Sequence, residues 1–122
     1  MRLQLVSVAL ALVGWTGCSL NRGNSHTIAG GDSGRGKHLA AWYGCGSCHR
    51  IPGLNKAVGL VAPSLDRVGR RSYIAGSVPN TPENLVRWIR AARNVDARTI
   101  MPDMNIPEQD ARDLAAFLHT LH

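Results

Sequence analysis

Cys45-Gly46-Ser47-Cys48-His49 is the segment of this 122-residue chain best equipped for chemistry. Two thiols three residues apart share one side of a helical turn, and an imidazole follows at once. The spacing C-x-x-C-H is that of c-type haem attachment. The two sulfurs reach the vinyl groups on one porphyrin edge and form thioethers, and the histidine turns beneath the iron to supply a nitrogen. Other chemistries use part of this pattern. A thioredoxin-like redox pair needs a βαβ context, whereas residues 36–43 just upstream carry apolar side chains at helical spacing. A structural disulfide leaves His49 without a role. Zinc held by cysteine needs a second pair or histidines at ligand spacing, and neither is present. The third cysteine, Cys18, stands far from the pair.

An iron with histidine on one face takes methionine on the other in electron-carrying proteins, where the soft thioether favours the reduced metal. Apart from Met1, the chain offers Met101 and Met104, both in a loop between the motif and the last helical segment. The bland alternative for either is a gap-filling core residue. His26, His38, His119 and His122 read as surface histidines rather than ligands.

These residues must be positioned by a short chain, one small domain at most. The apolar share is 44%, and much of it lies at the front. Residues 1–17 combine a basic start, an apolar run too short to span a bilayer and small residues before Cys18, which reads as an export signal. Residues 18–32 are polar and glycine-containing and read as a flexible tether; the compact domain is placed at 33–122. That domain has five aromatics, Trp42, Tyr43, Tyr73, Trp88 and Phe117, and many alanines. It is poor in core unless something fills or staples it. Three stretches read as helices. The first runs from about Gly34 to Gly44, with Leu39, Trp42 and Tyr43 on one face. The second opens at Thr81-Pro82-Glu83, an N-cap, a first-turn proline and a favourable acid, with a stripe of Leu85, Trp88, Ile89 and Ala92. The third runs from about Pro107 or Glu108 to Thr120, with Leu114, Phe117, Leu118 and Leu121. Asn105 tolerates a left-handed backbone.

The motif at Cys45–His49, together with Met101-Pro102, resembles class I cytochrome c, and the resemblance extends over residues 34 to 121. It is closest to small bacterial c-type domains that accompany respiratory oxidases, through Tyr43 to Gly53, Arg71 to Gly76, and Pro79 to Ile89. The small residues before Cys18 resemble a lipoprotein signal, which implies cleavage there and lipid on the cysteine; Trp15 departs from the usual aliphatic residue. The resemblance implies an all-α class I cytochrome c fold, with three main helices around one haem c bound through Cys45 and Cys48. It implies His49 and Met101 as axial ligands, since Met-Pro is the family's ligand pattern; relatives usually have Leu at Met104. It places the Pro63 carbonyl against the His49 ring, Arg70, Arg71 and Tyr73 near the haem carboxylates, and Trp88 beside the haem on the methionine side. The first and last helices are expected to cross, with Phe117 against the first.

The net charge is +6. Between Arg67 and Arg98 seven arginines face only Glu83 and Asp96. A basic cluster can bind nucleic acid, but export and haem argue against it, and an acidic redox partner fits better. The expected function is one-electron transfer on the periplasmic side of a bacterial membrane, lipid-anchored or soluble, with a membrane redox complex or another cytochrome as partner. Such a carrier is not an enzyme. The alternatives are a fixed haem subunit of a larger oxidase or dehydrogenase and a haem sensor or peroxidase with an open sixth site.

Overall fold

The computed structural model describes residues 27–122. The export segment, Cys18, His26 and the first part of the tether lie outside the described residues. Four α-helices carry the fold: α1 (Ser33–Trp42), α2 (Pro82–Arg90), α3 (Ala92–Val95) and α4 (Glu108–His119). Single 3₁₀ turns form at Cys45–Ser47 and Val68–Arg70. A minimal antiparallel hairpin pairs β1 (Tyr73–Ile74) with β2 (Val78–Pro79), Tyr73 opposite Pro79 and Ile74 opposite Val78. No helix among the described residues is long and apolar enough to cross a membrane.

The central packing is α1 against α4. Its seam is built from small residues on α1: Gly36 and Ala40, one helical turn apart, are both buried. A Cβ at Gly36 would stand 1.9 Å from the Asp113 carbonyl oxygen and 2.9 Å from the Phe117 Cβ, so only glycine lets the two backbones meet. Phe117 lies against α1, as expected. Trp42 does not share that face and is 83% exposed. Of the expected stripe, Leu39 and Tyr43 do pack against the core, beside a seam made of Gly36 and Ala40; Trp42, two residues past Ala40, points about 200° round the helix from it.

The folded part also begins before Ser33. Ile28 is buried in the core, Gln109 Nε2 donates to the Gly30 carbonyl at 2.8 Å, and Asp32 caps α1 by accepting from Arg35 N at 2.9 Å. Residues 28–32 therefore pack on α4 rather than hanging free, because one large aliphatic in a polar stretch suffices to dock it.

On α2 the expected start holds: Thr81 Oγ1 accepts from Asn84 N at 3.2 Å, with Pro82 at the first position. Leu85, Val86, Trp88 and Ile89 are buried, and the helix packs on α4. Its end differs from the expectation. Ala91 leaves helical geometry (φ −151°, ψ 73°), and Ala92 belongs to the separate turn α3. In a continuous helix Arg93 N would bond the Ile89 carbonyl. Instead Asp103 Oδ1 takes that donor at 2.9 Å. Among the described residues, the three expected helical stretches are thus accompanied by one short helix, α3. Asn105 does adopt positive φ, at 50°.

Candidate haem-attachment site

Gly44, in left-handed conformation, ends α1 and starts the 3₁₀ turn that carries the motif. His49 N donates to the Cys45 carbonyl at 3.0 Å, and Ser47 Oγ donates to the Gly44 carbonyl at 2.7 Å. The two cysteines and the histidine therefore sit on one tight turn. Both thiols are free, Cys45 half-buried and Cys48 exposed. Burial pushes the Cys45 thiol up from its ordinary value of 9.0, opposite to the lowered value of a redox-active C-x-x-C pair. Nor, among the described residues, does a βαβ unit precede the pair, since α1 leads into it.

His49 Nδ1 lies 2.7 Å from the Pro63 carbonyl oxygen. A carbonyl only accepts, so Nδ1 carries the proton and Nε2 keeps a lone pair for a metal. The segment that supplies this carbonyl is stitched along the motif. Gly59 N donates to the Gly46 carbonyl (3.1 Å), Ala62 N to Cys48 (2.9 Å) and Leu65 N to Arg50 (2.9 Å). The contact is close: a Cβ on Gly59 would stand 2.4 Å from the Cys48 carbonyl carbon. Between these bonds Leu60 and Val61 hold their side chains in the open, 92% and 71% exposed. Large aliphatics beside two free thiols and an imidazole make a surface suited to a flat apolar group.

Arg71 reaches the same loop. Its Nη2 donates to the Ser64 carbonyl at 2.6 Å and the Asp66 carbonyl at 2.8 Å, directly after Pro63. Asn80 in turn donates to the carbonyls of Arg71 and Val68, both at 2.9 Å. Arg70 is exposed at the end of its 3₁₀ turn, Tyr73 is exposed on β1, and Trp88 is buried on α2. Met101 and Met104 both lie half-buried against the core, so burial does not separate them. Met101 N donates to Thr99 Oγ1 at 3.2 Å, and exposed Ile100 stands beside it.

Sequence reasoning missed a polar cluster at the α1–α4 seam. Arg35 pairs with both Asp110, at 2.5 Å, and Asp113. The Tyr43 hydroxyl donates to Asp110 at 2.6 Å, and Asp113 also accepts from Asp32 N (2.8 Å) and Gln109 Nε2 (3.0 Å). Hydrogen bonds from Tyr43 and then Arg35 hold the Asp110 carboxyl below its ordinary value, and the bond to Asp110 raises the Tyr43 hydroxyl. Burial alone would raise Asp113, but the bonds from Asp32 N, Arg35 and Gln109 outweigh it and the net direction is down. The available signal was Asp113 itself, an acid next to the apolar stripe of the last helix, three residues after another acid.

A surface cleft lined by Arg87, Arg90, Ala91, Asn94, Val95, Asn105 and Ile106 contains none of the expected site residues. No three His, Cys, Asp or Glu side chains converge as a metal-ligand set among the described residues. A c-type haem would call on a different donor set, the Cys45 and Cys48 thiols and the His49 imidazole. The free thiols, the held imidazole and the exposed aliphatics fit that group.

Comparison with known proteins agrees. The family model for cytochrome c matches residues 33–122. Cytochrome c oxidase subunit 2 of Alkalihalophilus pseudofirmus is 32% identical over 88 residues, which is 71% of this chain and 25% of that protein. The chain thus spans about a quarter of the length of this relative. Matched over nearly all of its described length and folded as helices around a C-x-x-C-H turn, the chain belongs to the cytochrome c family, as a class I c-type domain whose family transfers electrons through haem.

Proposed function

We propose that the chain is a one-electron carrier holding a single haem c, attached through Cys45 and Cys48, with His49 and Met101 as axial ligands. The observation that carries this reading is the 2.7 Å bond from His49 Nδ1 to the Pro63 carbonyl. It fixes the tautomer, aims Nε2 outward as a donor and strengthens that donation. Bound there, haem c supplies an Fe(III)/Fe(II) couple. The residues of the chain do the rest. Leu60, Val61 and Ile100 cover apolar faces and exclude water, the Met101 thioether favours the reduced metal, and Trp88 packs on the methionine side. Arg71 commits only Nη2 to the loop, so its Nη1 and Nε can meet a haem carboxylate, with Tyr73 beside it.

The protein works on the periplasmic side of a bacterial membrane, soluble or held by lipid on Cys18. An unmodified thiol at the mature N-terminus in mass spectrometry removes the lipid. The partner is a membrane redox complex or another cytochrome, met through basic residues that make no ion pair, Arg50, Arg67 and Arg70 among them. A second reading, a fixed haem subunit of a larger complex, is favoured by the likeness to an oxidase subunit. Co-purification with a large complex that resists high salt supports it over a shuttle.

The test is the sulfur-to-iron charge-transfer band of the oxidised holo-protein. Wild type and Met104→Ala should show it, and Met101→Ala should lack it. A band retained in Met101→Ala sinks the ligand assignment. Ready carbon monoxide binding by reduced wild type supports an open sixth site, and so a sensor or peroxidase.

A further inference from the structure

The loop that carries Met101 is fastened downstream by three bonds, and all three run to α2 and α3. Asp103 Oδ1 accepts from Arg93 N at 2.9 Å. Asn105 N donates to the Arg90 carbonyl at 3.0 Å. Arg90 Nε donates to the Ile106 carbonyl at 3.2 Å, beside the buried Ile106 side chain. Upstream the attachment is local. Met101 N bonds Thr99 Oγ1, Thr99 N bonds the Asp96 carbonyl, and the Asp96–Arg98 pair spans two residues with Arg98 largely exposed.

Arg93 N lies in the first turn of α3, whose N-cap position is Ala91, a residue with no side-chain oxygen to serve it. Asp103 fills that role from ten residues further along the chain. A carboxylate at a helix start is doubly favoured, by the hydrogen bond and by the positive end of the helix. Pro102 alone separates Asp103 from Met101, and its ring fixes one backbone angle. Movement of Asp103 therefore passes to the methionine with little slack.

Resting on the His49/Met101 reading above, we infer that Asp103 and Arg90 are positioning residues for Met101: the remote cap and the arginine clamp set how firmly the thioether is presented. Neither touches the metal. Each acts through the loop, so breaking either bond shifts the loop toward states in which the sulfur withdraws and an added ligand enters.

The experiment titrates oxidised holo-protein with imidazole and follows loss of the charge-transfer band. Asp103→Ala should lose the band at about tenfold lower imidazole than wild type, the scale of a hydrogen bond to a charged group. Asp103→Asn keeps an acceptor oxygen and should stay within about threefold of wild type. Arg90→Lys keeps the charge but removes the Nε donor, and should shift the midpoint about threefold in the same direction; it decides the matter if Asp103→Ala does not accumulate. Asp32→Ala, which removes the α1 cap and none of the three loop bonds, should leave the midpoint where it was, so a shift there would mark a general stability effect and overturn the inference. A wild-type band with Asp103→Ala at the wild-type midpoint overturns the positioning role alone, as does Asp103→Asn no better than Asp103→Ala. A wild-type spectrum with no band overturns the ligand assignment and the positioning role with it.

Discussion

At the scale of single residues, the His49 ring is held by a carbonyl rather than a side chain, so no substitution at Pro63 removes the acceptor itself. What can be disturbed is the loop that presents it. That loop lies on the motif at Gly59, where a Cβ would meet the Cys48 carbonyl carbon at 2.4 Å. Gly59→Ala must push the loop off the motif, at a cost of about 1–3 kcal/mol for overpacking. Thermal unfolding of the holo-protein should show that loss, together with less covalently bound haem per protein in a denaturing gel. Wild-type haem content and unfolding temperature would falsify the close approach. The chemistry here was legible because it depends on residue type at fixed spacing: Cys45, Cys48 and His49 announce themselves, and Pro63 follows by resemblance. The bonds from Arg71 to the Ser64 and Asp66 carbonyls were not legible. They are made to backbone oxygens, which every residue has, and a sequence does not mark which ones face inward.

At the scale of elements, the α1–α4 seam combines a glycine contact with ion pairs. Asp110 and Asp113 both have carboxyl values held below the ordinary 3.8 in the fold. A lowered folded value means the contribution is complete above the unfolded value and is lost as pH falls through the folded one. The seam should therefore be intact near neutrality and weaken on acidification below about pH 4. Asp113→Asn removes one of the two linked groups. It should lower the unfolding temperature at pH 7 and flatten its decline between pH 4 and pH 2. A variant curve parallel to wild type through that range rules the linkage out. The helices themselves were readable from caps and periodicity, as Thr81 at the start of α2 illustrates. The errors share a cause. The helical spacing from Leu39 sets Trp42 on the inner face, but the seam is built on the small residues Gly36 and Ala40. The break at Ala91 depends on Asp103, a residue distant in sequence, taking a backbone donor that local pattern assigns to the helix.

At the scale of the whole molecule, the question is whether the chain can hold itself together. Among the described residues, the buried apolar set includes five alanines, Ala40, Ala57, Ala92, Ala111 and Ala115, and only two aromatics, Trp88 and Phe117. Leu60, Val61 and Ile100 add nothing to it, being largely exposed. Burying three such aliphatics is worth about 1.5–3 kcal/mol each, comparable in sum to the whole net stability of many domains. A core this rich in alanine gains from anything that fills or staples it, and Leu60 and Val61 stand on the loop bonded to Gly46 and Cys48. Both facts lead to the same expectation. The double variant Cys45→Ala/Cys48→Ala, made as the full chain, should keep some helix in far-ultraviolet circular dichroism, since α1, α2 and α4 carry their own caps or local bonds. It should lack a sharp thermal transition, because Leu60, Val61 and Ile100 would stay in water with nothing to cover them. Holo wild type should unfold in one cooperative step. A sharp transition in the variant, at a temperature near that of the holo-protein, shows instead that the α1–α4 seam and its ion pairs suffice, and that haem is cargo for a scaffold already complete.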